Sequence, residues 1–194
     1  MAAAEPSGAP RRIVFLGPPN SGKGTQASQL AETLGVPAIS TGEMLRAAVA
    51  EGSALGKRVE DVMARGELVD DAMMADVVRA RLGQDDAGRG FILDGYPRTL
   101  PQVETLTGIL AALDQQLDHV VLIDAPVEVL VARALARGRA DDQEDIARER
   151  LRVYEAKTAP LVAHYDDAGL LRRVDGDQTI DEVRDALHRA VGVV

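Results

Sequence analysis

The residues Gly17, Pro18, Pro19, Asn20, Ser21, Gly22, Lys23, Gly24 and Thr25 have the types and spacing of an anion cradle. Glycine at both ends of a tight turn lets consecutive backbone N–H groups face one concave space, and a following helix adds the positive end of its dipole. Phosphate is the ligand that fits such a space. Lys23 supplies a point charge for the outer phosphates, as the pattern GxxxxGK requires, while the hydroxyl comes at Thr25 because Gly24 follows the lysine. A Gly/Pro turn that only joins a strand to a helix would share some of these residues. The fixed spacing, the lysine and the flanking RIVFL and TQASQLAETL segments favour a nucleoside triphosphate.

The elements that must hold this loop can be read from the rest of the chain. The protein has 194 residues, 46% hydrophobic and 27% charged, enough for one domain with a real core and unlike a disordered or collagen-like chain. Lys and Arg number 22 against 31 Asp and Glu, a net charge of −9 that disfavours nucleic acid and anionic membranes as partners. Cysteine is absent, which removes disulfides, thiol catalysis and cysteine-ligated zinc and is compatible with a reducing cytoplasm. Short apolar strands are expected at 12–16, 37–40, 91–94, 119–124 and 170–174, alternating with helices at 23–34, 42–50, 54–65, 71–82, 99–112, 127–137, 143–166 and 179–190. That alternation predicts an α/β fold, a three-layer sandwich with a central parallel sheet. Gly66 and Gly83 stand where helix ends favour a left-handed residue. Residues 1–10 read as a flexible leader, and Arg11-Arg12 as the entry to a strand, since the apolar run after them is too short for an export signal.

Three further motifs follow the cradle: ISTGEMLRAAV at 39–49, FILDGYPRT at 91–99 and RGRADD at 137–142. With these in this order, residues 11–192 resemble the short-lid adenylate kinases of the nucleoside monophosphate kinase family. The resemblance implies a P-loop domain over 11–194 with two movable parts: a monophosphate-binding segment over about 40–69 and a short lid over about 137–142. It implies that Gly17 to Thr25 hold the phosphates of ATP, that Arg133 lies over the ATP base, and that Gly176 offers it a backbone carbonyl. Thr41 and Arg46 would meet AMP, with Arg46 on its phosphate. Glu67, Leu68 and Val69 would line the adenine pocket through their backbone, and Gly95, Tyr96, Pro97, Arg98 and Gln102 would complete it. Lys23, Arg98, Arg137, Arg139 and Arg150 would surround the transferred phosphoryl group. Asp94 would order Mg2+ through water. The substrates implied are ATP, AMP and ADP, handled by a cytoplasmic monomer.

Plainer explanations exist for several of these residues. Thr41, two residues before Glu43, could be only a helix N-cap, and Asp94-Gly95-Tyr96-Pro97 is an ordinary turn sequence. Arg148 reads as a surface partner for Glu144. Met73, Met74, Ile146, Leu151 and Tyr154 read as core. The three histidines share no metal-ligand spacing, and the 137–142 link is too short for a zinc-bearing lid, so no structural zinc is expected. The family usually has glycine where this chain has Asn20, a residue that tolerates left-handed backbone. Two other functions compete with ATP:AMP transfer: a UMP or CMP kinase on the same fold, against which Thr41 and Gln102 speak, and a regulatory nucleotide-binding module, which would not need a second cationic site.

Overall fold

A computed structural model describes residues 12–139 and 143–193. The leader over 1–10, Arg11 and the last part of the 137–142 link lie outside the described residues. Five strands, β1 (Arg12–Leu16), β2 (Ala38–Ser40), β3 (Phe91–Asp94), β4 (His119–Asp124) and β5 (Leu171–Asp175), form one parallel sheet in the order β2-β3-β1-β4-β5. β1 lies in the middle. The chain turns to β3 on one side and β4 on the other, which opens a crevice beyond the carboxyl ends of the strands. Register places Phe15 beside Asp94 and Ser40 beside Asp94, so the ends of β1, β2 and β3 meet at that crevice.

Alternation along the strands sends side chains to two separate cores. Val14, Leu16, Ile39, Phe91, Leu93, Val120, Leu122 and Leu171 face one side of the sheet. There they meet α2 (Thr41–Ala50), α3 (Ala54–Ala64), α4 (Asp71–Leu82), α5 (Leu100–Ala112) and α8 (Leu161–Asp167) through residues such as Leu45, Val59, Val78, Leu106 and Leu161. Ile13, Phe15, Ile92, Val121 and Ile123 face the other side, against Ala27 and Leu30 of α1 (Lys23–Leu34) and Val183 and Leu187 of α9 (Ile180–Val191). Because both faces are covered, the strands read as nearly continuous apolar runs. The remaining pair, α6 (Val127–Arg137) and α7 (Glu144–Val153), packs around a small cluster of its own, Leu130, Val131 and Leu151.

Helix ends follow local chemistry with two departures from expectation. The helix expected over 143–166 is divided: α7 runs into a π-helical turn at Tyr154–Thr158 before α8. Pro160 has no N–H for the carbonyl of Ala156, and Ala159 N–H instead reaches back to the Tyr154 carbonyl at 2.9 Å. Gly83 ends α4 at φ −78°, an ordinary right-handed geometry, whereas Gly66 after α3 is left-handed at φ 73°. Leu30 is fully buried between α1 and the sheet, so Leu30→Ala is expected to lower stability by about 2–5 kcal/mol in urea unfolding, through lost burial and a cavity beneath the helix that starts at Lys23.

Candidate functional site

The loop between β1 and α1 is set by contacts that tolerate no side chain at its start. Gly17 has φ 139°, and a Cβ there would lie 2.0 Å from the carbonyl oxygen of Ile123. Asn20 takes the left-handed conformation at φ 69°. Gly22, at φ 98°, is the N-cap of α1, so the first N–H groups of that helix open toward the loop. The Lys23 ammonium donates to the Pro18 carbonyl at 2.7 Å and lies 3.5 Å from Ser21 Oγ, which bends the side chain over the loop.

On the facing side, Asp94 ends β3 with its carboxylate next to Gly24, where a Cβ would be 3.8 Å from Asp94 Oδ2. Thr41 is buried, and its hydroxyl donates to the Asp94 carbonyl at 3.4 Å. The N-cap of α2 is Ser40, whose hydroxyl accepts from Glu43 N–H, so capping does not explain Thr41. Gly95 is left-handed at φ 85°, and a Cβ there would come within 2.7 Å of Thr41 Oγ1 and 3.0 Å of Arg98 Nη2. Arg98 Nε donates to the Gly95 carbonyl at 2.7 Å, which turns the guanidinium back toward the strand ends.

These parts line one cleft of about 360 Å³. Of the residues singled out in the sequence, it takes in Gly17, Pro19, Asn20, Gly22, Lys23, Gly24 and Thr25 from the loop, and Arg133, Arg137, Arg139 and Arg150 from α6, the link and α7. It also takes in Thr41, Arg46, Glu67, Leu68, Val69, Asp94, Gly95, Pro97, Arg98 and Gln102. Four expected residues do not line it. The Pro18 carbonyl accepts from Lys23, Ser21 is buried, the Tyr96 side chain is buried in the core, and Gly176 packs where a Cβ would be 3.1 Å from the Ser21 carbonyl. Arg148 pairs with Glu144 at 3.0 Å on the surface, as its position suggests. Met74 and Leu151 are buried as expected, but Met74 and Tyr154 also reach the cleft.

Electrostatics gathers the cations into one group. Burial pushes the Lys23 ammonium down to about 8; Asp94 opposes that shift, while Arg98, Arg150 and Arg137 add to it. The Arg98 guanidinium is lowered too, first by burial and then by Arg150 and Arg46, with Asp94 again opposing. Lysine and arginines that feel one another across a cleft, with a carboxylate between them, make a receptor for a compact, highly charged anion.

The comparisons with known proteins agree with that chemistry. The family model described as adenylate kinase matches residues 15–170. The chain belongs to the adenylate kinase family. It is 49% identical over 185 residues to the adenylate kinase of Xanthomonas oryzae pv. oryzae, an alignment that covers 93% of this chain and 99% of that protein. The adenylate kinases of Xanthomonas campestris pv. campestris and Xylella fastidiosa are also 49% identical over 185 residues, with the same coverage. Members of the family are generally Mg2+-dependent. The Asp94 carboxylate and the Thr25 hydroxyl are hard oxygen donors on the cleft wall beside the loop, a set that suits Mg2+ shared with phosphates and water. Among the described residues no group of three or more His, Cys, Asp or Glu side chains could hold a metal ion, and no helix is long and apolar enough to cross a membrane.

Besides Met74 and Tyr154, sequence reasoning missed a polar residue of the cleft and a carboxylate just behind it. Thr158, buried on the π-helical turn, lines the cleft and donates to the Arg98 carbonyl at 2.9 Å. Asp71 accepts from Gln102 Nε2 at 2.7 Å and from the Thr99 hydroxyl at 3.0 Å. Pro160 was the signal for the first; nothing local distinguishes Asp71 from an acid in a first helical turn. Deprotonation of Lys23 as pH rises through about 8 removes a positive charge from the loop, so tripolyphosphate affinity measured by calorimetry is expected to fall over that range, and Lys23→Met to bind weakly at every pH.

Proposed function

We propose that the cleft carries reversible transfer of the terminal phosphoryl group of ATP to AMP, giving two ADP. The observation that supports this reading best is that Lys23, Arg46, Arg98, Arg137 and Arg150 line one cleft together with Asp94, in a chain whose net charge is −9. A single polyphosphate needs the loop and its lysine. A second group of guanidiniums facing that loop suits a second phosphate brought up to the first.

In this reading the ATP phosphates lie on the amides of residues 17–25 at the N-terminus of α1, with Lys23 on the outer phosphates and Arg133 and Arg137 beside the nucleotide. AMP enters from the side of Thr41 and Leu68, its phosphate on Arg46 and Arg98 and its base toward Val69 and Gln102. Arg139 and Arg150 stand with Arg98 and Lys23 around the group in transit. Mg2+ would be held with the phosphates by Thr25 and, through water, by Asp94, where it supplies positive charge to the polyphosphate oxygens.

The chemistry asks little else of the protein. Phosphoryl transfer passes through a loose, in-line transition state whose charge spreads over peripheral oxygens, so positioning and electrostatics do most of the work. The attacking oxygen belongs to a phosphate monoester with a second pKa of about 6, already anionic at neutral pH, and no general base is required. Two polyanions repel, and the arginine forks offset that repulsion best with water excluded. We assign closure over AMP to the 40–69 segment and closure over ATP to α6 and α7, whose apolar cluster is separate from both sheet faces. The lack of cysteine and the acidic surface suit a cytoplasmic monomer.

A coupled assay for ADP formation tests this reading. Arg98→Ala and Lys23→Met are each expected to lower kcat by about 10² or more, the scale for losing a preorganised charge-stabilising donor. Two adenosines joined by five phosphates should bind far more tightly than ATP or AMP alone. Unchanged turnover in folded Arg98→Ala protein, or binding of that compound no tighter than ATP, would overturn the reading.

A further inference from the structure

Gln102, on the first turn of α5, is 2% exposed and lines the cleft. Both ends of its amide are engaged by groups whose hydrogen-bonding sense is fixed by chemistry. Oε1 accepts from the Arg98 backbone N–H at 2.7 Å, and Nε2 donates to Asp71 Oδ1 at 2.7 Å. A backbone N–H only donates and a carboxylate only accepts, so exchanging the amide's oxygen and nitrogen would oppose donor to donor and acceptor to acceptor. The partners therefore decide the orientation of this amide. Asp71 is itself held, since its Oδ2 accepts from the Thr99 hydroxyl at 3.0 Å, and Thr99 Oγ1 accepts from the Gln102 N–H at 3.3 Å. Thr158 steadies the other partner through the Arg98 carbonyl.

Each end of the amide has one more hydrogen-bonding position, the second lone pair of Oε1 and the second hydrogen of Nε2. Together they form an acceptor beside a donor. Adenine matches that pair with its exocyclic amino group and N1, and cytosine with its amino group and N3. Guanine and uracil present the reverse, a carbonyl beside a ring N–H. An amide free to turn over would serve both kinds of base equally well.

We propose that Asp71 is a specificity-determining positioning residue, which locks the Gln102 amide in the sense that accepts an amino-bearing base and rejects a carbonyl-bearing one. The inference rests on the placement of the AMP base at Gln102 in the reading above. It assigns to a carboxylate outside the cleft lining a role in choosing the acceptor nucleotide. It also makes an asymmetric claim: the lock acts against guanine and uracil, while cytosine, with the same pattern as adenine, passes it and must be distinguished by size.

The test is kcat/KM for AMP, CMP, GMP and UMP in the unmodified protein, in Asp71→Asn and in Gln102→Leu. An asparagine can turn either end of its own amide toward Gln102, which leaves the Arg98 N–H as the one group of fixed sense. Asp71→Asn is expected to raise the GMP/AMP and UMP/AMP ratios by about tenfold, the scale of one hydrogen bond, and to leave CMP/AMP where it was. Asp71→Ala should shift the ratios in the same direction and serves if the asparagine variant is unstable. A uniform fall for all four monophosphates, or ratios unchanged in folded protein, would mean that Asp71 only supports the loop and would overturn the proposal. Gln102→Leu separates the two layers. If it shifts the ratios while Asp71→Asn does not, the base placement stands and the lock is wrong. If Gln102→Leu also leaves them unchanged, the base is not read at Gln102 and both fail.

Discussion

Cations held close to one another are the constraint on which the rest of this structure depends. Burial, and after it the neighbouring cations, lower the proton affinity of Lys23 and Arg98: Arg98, Arg150 and Arg137 act on Lys23, and Arg150 and Arg46 act on Arg98. Such a group is unfavourable unless a rigid frame holds it, and among the described residues Asp94 offers counter-charge to both Lys23 and Arg98. The parallel sheet provides the frame. β1 delivers the loop and β3 delivers Asp94 at matched register, and their buried cores on both faces fix where the strands end.

Apolar support is not uniform around the cleft. The loop side and the Asp94 side grow from the central strands, whereas the arginines of α6 and α7 rest on the small cluster of Leu130, Val131 and Leu151. Elements with little buried apolar area are the ones that open and close at low cost. The turn after α3 also touches α7: a Cβ on Gly66 would be 2.9 Å from Arg150 Cγ, so that turn packs on the stem of an arginine. A glycine that ends a helix thereby also allows the acceptor side and the arginine helix to meet.

Three of the cleft's charged or polar groups are each aimed by a backbone carbonyl. Lys23 is bent by the Pro18 carbonyl, Arg98 by the Gly95 carbonyl and Thr41 by the Asp94 carbonyl. Backbone acceptors of this kind come from turns whose geometry is set by left-handed residues such as Gly95. Orientation is thus set by the protein's own backbone, which is where electrostatic catalysis gains most over the same charges in water.

The cradle from Gly17 to Thr25, the strands, the end of β3 at Asp94 and most helix limits were legible in the sequence, because each depends on neighbours within a few residues: a glycine spacing, an apolar run, a cap. Arg148 could be set aside for the same reason, its partner Glu144 being one helical turn away. Other features depended on contacts between distant segments and were decided by the tertiary structure alone. Thr41 is a buried donor to β3 because Ser40 already caps α2, a choice between adjacent hydroxyls that local pattern leaves open. Thr158 reaches Arg98 across 60 positions, and only because a proline breaks the helix ladder near it. Asp71 meets Gln102 across 31 positions, through the packing of α4 against α5. The spacing of residues along the chain determined which chemistry was present; folding decided which of them face one another, since a hydrogen bond of less than 3 Å between remote residues is fixed by packing and leaves no trace in local order.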